Sequence, residues 1–205
     1  MRDRRRDRQA EFQRELKQKG VKLGDGVYVA RGSRIWASDV TIGDHSRING
    51  PIRLGGFSSI TIGRYCAIGS GVTMRSSDHD TRRANIQVAL HESLGLGNLD
   101  VAGPVRVMNN VWIGDQVIIL RGVTVGDGAV LGAGSIVTRD IPAFSVAVGS
   151  PARVIRSRFT SDVVEALVRI AWWDWDRARI ERNLDFLSAD LTTLTGADLA
   201  QLVRD

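Results

Sequence analysis

The stretch Val105–Val137 reads VRVMNNVWIGDQVIILRGVTVGDGAVLGAGSIV, and counting in sixes from Val107 meets Ile113, Ile119, Val125, Leu131 and Val137. Two positions before each sits a second small or branched residue: Val105, Val111, Val117, Val123, Ala129 and Ser135. A period of six is too short for a helical repeat unit. It marks a chain that winds through short strands and tight turns into a parallel β-helix, with the aliphatic residues buried along the axis.

The same phase runs through Leu23, Val29 and Ile35, then Ile42, Ile48 and Leu54, then Ile62, Ile68 and Met74. The steps from 35 to 42 and from 54 to 62 are seven and eight residues, which places small bulges at corners. Three coils precede residue 75 and about two follow residue 104. The reading is an all-β core of about five coils, roughly 24 Å tall at ~4.8 Å per stacked strand. Glycines at 24, 43, 63, 69, 114, 126 and 132 follow the aliphatic position, where they are expected to supply corner backbone angles. Residues 1–20 form a charged N-terminal segment, helical over 5–19, with Ala10, Phe12 and Leu16 as its apolar face. The period breaks at 76–103, a polar and then Gly-rich loop that holds two of the three histidines. Long excursions from a regular scaffold tend to be functional. The β-helix domain spans 21–158, and 159–205 reads as a C-terminal helical segment. There Asp162 and Glu165 suggest a capping box. Val163, Val164, Leu167, Val168 and Ala171 make a stripe, and Ile180, Leu184 and Leu187 mark a second helix. These helices, with Trp172, Trp173 and Trp175 as packing residues, are expected to cover a coil face or an open end.

Among 205 residues, aromatics are 6% and glycines number 22, which suits tight corners better than a large aromatic core. No apolar run approaches the ~20 residues of a membrane span, and residues 1–20 do not resemble a signal peptide. A soluble, cytoplasmic protein is expected. Of the net charge of +5, a surplus of four lies in residues 1–20, which reads as a solvated or capping segment and not as a nucleic-acid site. Cys66, the single cysteine, falls on the inward phase and is expected to be buried.

Three further segments carry a resemblance. They are Gly132-Ala133-Gly134-Ser135-Ile136-Val137-Thr138-Arg139-Asp140-Ile141-Pro142, Gly149-Ser150-Pro151-Ala152-Arg153-Val154-Ile155-Arg156, and Ile170-Ala171-Trp172-Trp173-Asp174-Trp175. With the hexapeptide run and a His-bearing loop, residues 21–190 resemble the hexapeptide-repeat acyltransferases. The nearest branch is the xenobiotic one, the streptogramin and type B chloramphenicol acetyltransferases. The resemblance implies a left-handed coil and a homotrimer with active sites between subunits. It also implies acetyl-CoA as cosubstrate, no metal, and acyl transfer to a hydroxyl or amine of a sugar, polysaccharide precursor or small molecule.

Residue roles follow from the same resemblance. His79, in Ser76-Ser77-Asp78-His79-Asp80, matches the family's catalytic histidine; a neutral imidazole suits proton removal near pH 7. Asp78 or Asp80 would orient its ring. Ala133 matches a contact to the pantetheine arm in related galactoside acetyltransferases, and Asp115, Thr138 and Arg139 match other coenzyme A contacts. Arg153 and Arg156 match basic positions suited to its phosphates. Trp112 matches a Trp beside the acyl-transfer site, with ordinary surface packing left open. Arg82, Asn85 and His91 are acceptor-site candidates, Arg82 with Arg83 for a nucleotide-sugar phosphate. Transfer is expected to be direct, without an acylated thiol.

This chain departs from the xenobiotic branch around its His. Aspartates flank it, and Thr81-Arg82-Arg83-Ala84-Asn85-Ile86-Gln87 follows, which favours a sugar over an apolar antibiotic. Two other readings compete: a non-catalytic trimerisation module, and a zinc carbonic anhydrase of the γ type. The latter needs three convergent histidines; spacings of 34 and 12 between His45, His79 and His91 do not match it.

Overall fold

The structure is a computed structural model and describes residues 2–97 and 99–204. The chain winds into a left-handed parallel β-helix with three flat sheets. The first sheet stacks Lys22–Leu23, Asp39–Ile42, Ser59–Ile62, Val105–Val107 and Thr124–Val125. The second stacks Tyr28–Val29, Arg47–Ile48, Ala67–Ile68, Trp112–Ile113, Val130–Leu131 and Ser145–Gly149, and Ala152–Ser157 folds back antiparallel as its edge. The third stacks Arg34–Ile35, Arg53–Gly55, Thr73–Arg75, Ile118–Ile119 and Ile136–Val137. Five full coils result. A partial sixth begins where Ile141 bridges Val125. Ile42, Ile48, Leu54, Ile62, Ile68, Met74, Ile113 and Ile119 are fully buried. Register passes from Met74 directly to Ile119, so the 76–103 excursion leaves the stack unbroken.

The glycines of the repeat serve a purpose other than the one expected. None of Gly24, Gly43, Gly63, Gly69, Gly114, Gly126 and Gly132 has a positive φ. Each lies under the next coil: a Cβ on Gly43 would sit 2.7 Å from the Gly63 carbonyl carbon, and one on Gly114 would sit 2.7 Å from the Ala133 nitrogen. Close approach selects them. At the corner between the first and second sheets, the left-handed residue is Gly26, His45, Tyr65, Asn110, Gly128 and Phe144 in successive coils, so four side chains occupy it.

Carboxylate and amide side chains tie the corners together. Asp44 Oδ1 accepts from Asp25 N (2.8 Å), Asn109 Oδ1 from Arg64 N (2.9 Å), and Asp127 Oδ1 from Asn109 N (2.8 Å) and Asn109 Nδ2 (3.0 Å). Asp115 Oδ1 accepts from Ser70 N and Asp140 Oδ1 from Thr124 N, both at 2.7 Å. In every case the later coil supplies the acceptor.

The first coil and one corner of the stack are covered. The helix Arg2–Gln18 packs Phe12 and Leu16 on the core. Ala10, expected on that face, is exposed. Gln9 and Gln13 line it instead, donating to Val29 O (2.6 Å) and Val27 O (3.1 Å) and so satisfying carbonyls of the first coil. Along the corner between the first and second sheets, Ser161–Ile170 and the elements after it build a second core of Phe144, Val163, Leu167, Trp173, Trp175, Phe186 and Leu199, with Trp172 against Tyr65 and Asp174 paired to Arg64 at 3.0 Å. Phe186 fills this core, while Leu184 and Leu187 of the expected stripe stay exposed. The capping box lies at Thr195 and Asp198. Asp162 instead accepts from Gly196 N at 2.7 Å, joining the first and last of these helices. Cys66 is buried, and desolvation pushes its thiol pKa up to about 11. Among the described residues no helix is long and apolar enough to cross a membrane.

Candidate active site

The loop leaves the third sheet after Thr73–Arg75 and is not irregular. Its neck is a two-stranded antiparallel ribbon, Ser77–His79 against Asp100–Ala102. Gly103 N donates to Ser76 O (2.9 Å), and Asp80 N to Leu99 O (2.7 Å). Ser76 Oγ is buried and donates to Ser58 O (2.8 Å). The neck is therefore a short rigid arm, and His79 stands at its outer end with an exposed ring. Among the described residues no side chain or carbonyl hydrogen-bonds that imidazole.

The two expected orienting carboxylates are engaged elsewhere. Asp78 Oδ2 lies 3.3 Å from Arg121 Nε, at the matching corner of the next coil. Asp80 is buried and takes Arg82 at 2.8 and 3.1 Å, with Arg83 at 3.4 Å. The Arg82 guanidinium beside it holds the Asp80 carboxyl far below the usual carboxylate range. Arg82 and Arg83 are thus partly neutralised from within the loop. Asn85 closes a turn on the backbone of Gln87 (3.0 and 3.1 Å). His91 is buried at the last turn of the helix Val88–Ser93, with Nδ1 2.9 Å from Gly97 O. A carbonyl can only accept, so Nδ1 carries the proton. This ring fastens the loop from inside and does not line an open surface.

The remaining candidates fall on other edges of the prism. Thr138 and Arg139 follow Val137, in register with Leu120 and Arg121, so they share the edge from which the loop emerges. Asp115 and Ala133 sit at the corner between the second and third sheets, and the Asp115 carboxylate is occupied by Ser70 N. Trp112 stands on the outer face of the second sheet, 60% exposed. Arg153 and Arg156 lie on the antiparallel edge strand, exposed and without an ion pair among the described residues. One chain brings His79, Arg121, Thr138 and Arg139 to a single edge, and leaves Trp112, Ala133, Arg153 and Arg156 away from it.

Residues 104–139 match the family model of the bacterial transferase hexapeptide (six repeats). A chloramphenicol acetyltransferase of Agrobacterium fabrum is 33% identical over 159 residues, covering 73% of this chain and 72% of the relative. The chain belongs to the hexapeptide-repeat acetyltransferases. A galactoside acetyltransferase solved with coenzyme A superposes with a TM-score of 0.58 and 31% identity, covering 73% of this chain and 71% of that one. A hexapeptide-repeat acetyltransferase of Vibrio cholerae O1 biovar eltor, solved with acetyl coenzyme A, gives 0.59 and 25%, covering 72% and 77%. As a member, this chain is an acetyl-CoA-dependent acetyltransferase.

The donor set of this acetyltransferase suits its cosubstrate. Two exposed guanidinium groups without carboxylate partners among the described residues, Arg153 and Arg156, match phosphate chemistry. His45, His79 and His91 lie at a corner, on the neck and inside the loop, and no metal-holding group of three or more His, Cys, Asp or Glu occurs among the described residues. Sequence reading passed over two residues. Asp100 lies directly opposite His79 in the neck, and cross-strand partners share a face of the ribbon. Arg121 reaches the loop from the coil above. The only sequence signal for either is a polar residue next to a break in the period.

Proposed function

We propose that this acetyltransferase moves the acetyl group to a hydroxyl or amine of a sugar or polysaccharide precursor, with His79 as the general base. The observation that carries this is the His79 ring: exposed, free of hydrogen bonds among the described residues, and held on a rigid neck. The imidazole takes the acceptor proton as the new acyl bond forms and the thioester C–S bond breaks; the proton then passes to the departing thiolate. Buried Cys66, held as a thiol, is unsuited to an acyl-enzyme, which supports direct transfer. Asp78 and Asp80 act on His79 indirectly in this scheme, by bracing the neck against Arg121 and Arg82. Ala133, Thr138, Arg139, Arg153 and Arg156 receive the coenzyme A arm and phosphates, with Asp115 shaping their corner. Arg82, Asn85 and Trp112 border the acceptor.

The scatter of these residues over separate prism edges supports a homotrimer, in which the loop of one subunit faces the coils of the next. Residues 1–20 cap the stack, 21–158 with loop 76–103 carry the chemistry, and 159–205 brace it. Supply of acetyl-CoA puts the enzyme in the cytoplasm. A relative named chloramphenicol acetyltransferase keeps an antibiotic acceptor as the second reading.

His79→Ala should cut kcat by ~10²–10⁴-fold in a thiol-release assay and leave coenzyme A affinity within twofold. Normal turnover in that variant overturns the assignment. The acceptor panel sets amino sugars and nucleotide sugars against chloramphenicol, and sedimentation tests the trimer.

A further inference from the structure

We infer that the outer face of the third sheet is the acceptor subsite, and that it selects a saccharide bearing an anionic group. This deepens the sugar-acceptor reading and rests on it. Ile35, Leu54 and Met74 of this sheet point into the core. Their neighbours therefore point outward in two columns: Arg34, Arg53 and Thr73 in one, Trp36, Gly55 and Arg75 in the other. The columns are two residues apart along each strand, about 7 Å.

Trp36 is 51% exposed yet fixed in place. Its indole lies across Gly55, where a Cβ would sit 2.1 Å from Cε2 and 2.4 Å from Nε1. The missing side chain at residue 55 lets the ring rest on backbone. The Arg75 guanidinium stands 5.9 Å from the ring centroid, at the edge of cation–π range. An immobilised aromatic face suits the apolar C–H face of a pyranose, and its fixed rotamer lowers the ordering cost of binding.

The other column is a groove of about 500 Å³ lined by Arg34, Arg53, Thr73, Ser70 and Gln116 with adjoining backbone. Arg34 and Arg53 are direct neighbours in the parallel ladder. Neither side chain has an ion pair or hydrogen bond among the described residues. Like charges side by side repel and destabilise the strand pair, so the pair is matched by an anion from outside. Residues 21–53 carry five Lys and Arg against three Asp and Glu, and residues 54–205 carry 15 against 16. Arg75, which closes the platform, precedes His79 by four residues, so a sugar on this face lies at the base of the catalytic arm.

The test uses glucosamine and glucosamine 6-phosphate as a matched pair, titrated calorimetrically with coenzyme A saturating its own site. The phosphorylated sugar should bind at least ~10-fold more tightly, as charge-assisted hydrogen bonds allow. The double variant Arg34→Ala, Arg53→Ala should erase that difference and leave glucosamine unchanged. Trp36→Ala should weaken both sugars ~3–10-fold with an unaltered sedimentation profile. Equal binding of the two sugars overturns the inference, as does a double variant that weakens both alike. A changed oligomeric state in Trp36→Ala also overturns it, because the indole is then a contact between copies. Acetyl transfer is read separately. Phosphate preference without transfer leaves this subsite standing and removes the transfer reading; transfer to both sugars with equal KM does the reverse.

Discussion

Asn109 links three coils, and Asn109→Ala tests whether the corners hold the stack. Its Oδ1 accepts from Arg64 N at 2.9 Å in the coil below. Its Nδ2 donates to Asp127 Oδ1 at 3.0 Å in the coil above. Alanine removes both bonds and keeps the backbone bond from Asn109 N to Asp127. One lost bond is neutral, about 1 kcal/mol; the other goes to a carboxylate, about 1.5–3 kcal/mol. The site is half-buried, so water replaces part of each. The expected net loss is therefore about 2 kcal/mol, or ~4–8 °C in Tm for a chain of this size. Asn109→Asp keeps the acceptor for Arg64 N but sets a second carboxylate against Asp127. It should be the worse variant at pH 7 and recover relative to alanine below pH ~4, as one of the pair protonates. Thermal unfolding of both variants at pH 7 and pH 4 measures this. A shift under ~1 °C for Asn109→Ala would refute the reasoning.

Burial raises the Cys66 pKa from 9.0 to about 11, so the native state holds this proton more tightly than the unfolded chain does. Stability should therefore fall between pH 9 and pH 11 by about 2–3 kcal/mol; a Cys66→Ala variant with the same slope would remove the cause. Asp80 has the opposite sign: its lowered pKa gives the loop stability present above the ordinary carboxylate value and lost on acidification below pH ~4. Limited proteolysis should then cut within 81–97, and Asp80→Asn should show the same cleavage at pH 7; resistance of both would sink the loop-bracing role. Gly55→Ala should leave Tm nearly unchanged, because only the exposed indole must move. Retention of wild-type sugar affinity would show that the Trp36 position is irrelevant.

The coil was legible because burial repeats at a fixed local period: a residue six positions on meets the same interior, whatever the rest of the chain does. Ile113 and Met74 could be assigned on that basis alone. The corners depend on coil-on-coil contacts roughly 18 residues apart, to which a six-residue count is blind. That is why Gly43 and Gly114 were read as turn formers when they are spacers, and why the bond from Ser70 N to the Asp115 carboxylate was not foreseen. Inside the loop no period exists. Its ribbon neck and buried His91 come from pairing two segments about 20 residues apart, Ser77–His79 with Asp100–Ala102. His79 itself is singled out by resemblance to the family and by the break in the count. Trp36 was missed because an outward Trp at the end of a hexad looks like scattered surface until Gly55 is seen beneath it.

The corner bonds close each coil from both sides: Asp44, Asn109, Asp115, Asp127 and Asp140 accept from an N–H of the coil before, while His45, Tyr65, Asn110, Gln116 and Gly128 donate their own N–H back to a carbonyl of that coil. A coil is thus finished only by its successor. During synthesis the chain emerges N-terminus first, so each new coil meets a ready row of donors and acceptors and leaves its own row open for the next. Growth of this prism is vectorial, and a chain halted after residue 103 ends on an unsatisfied edge that the three earlier coils cannot close.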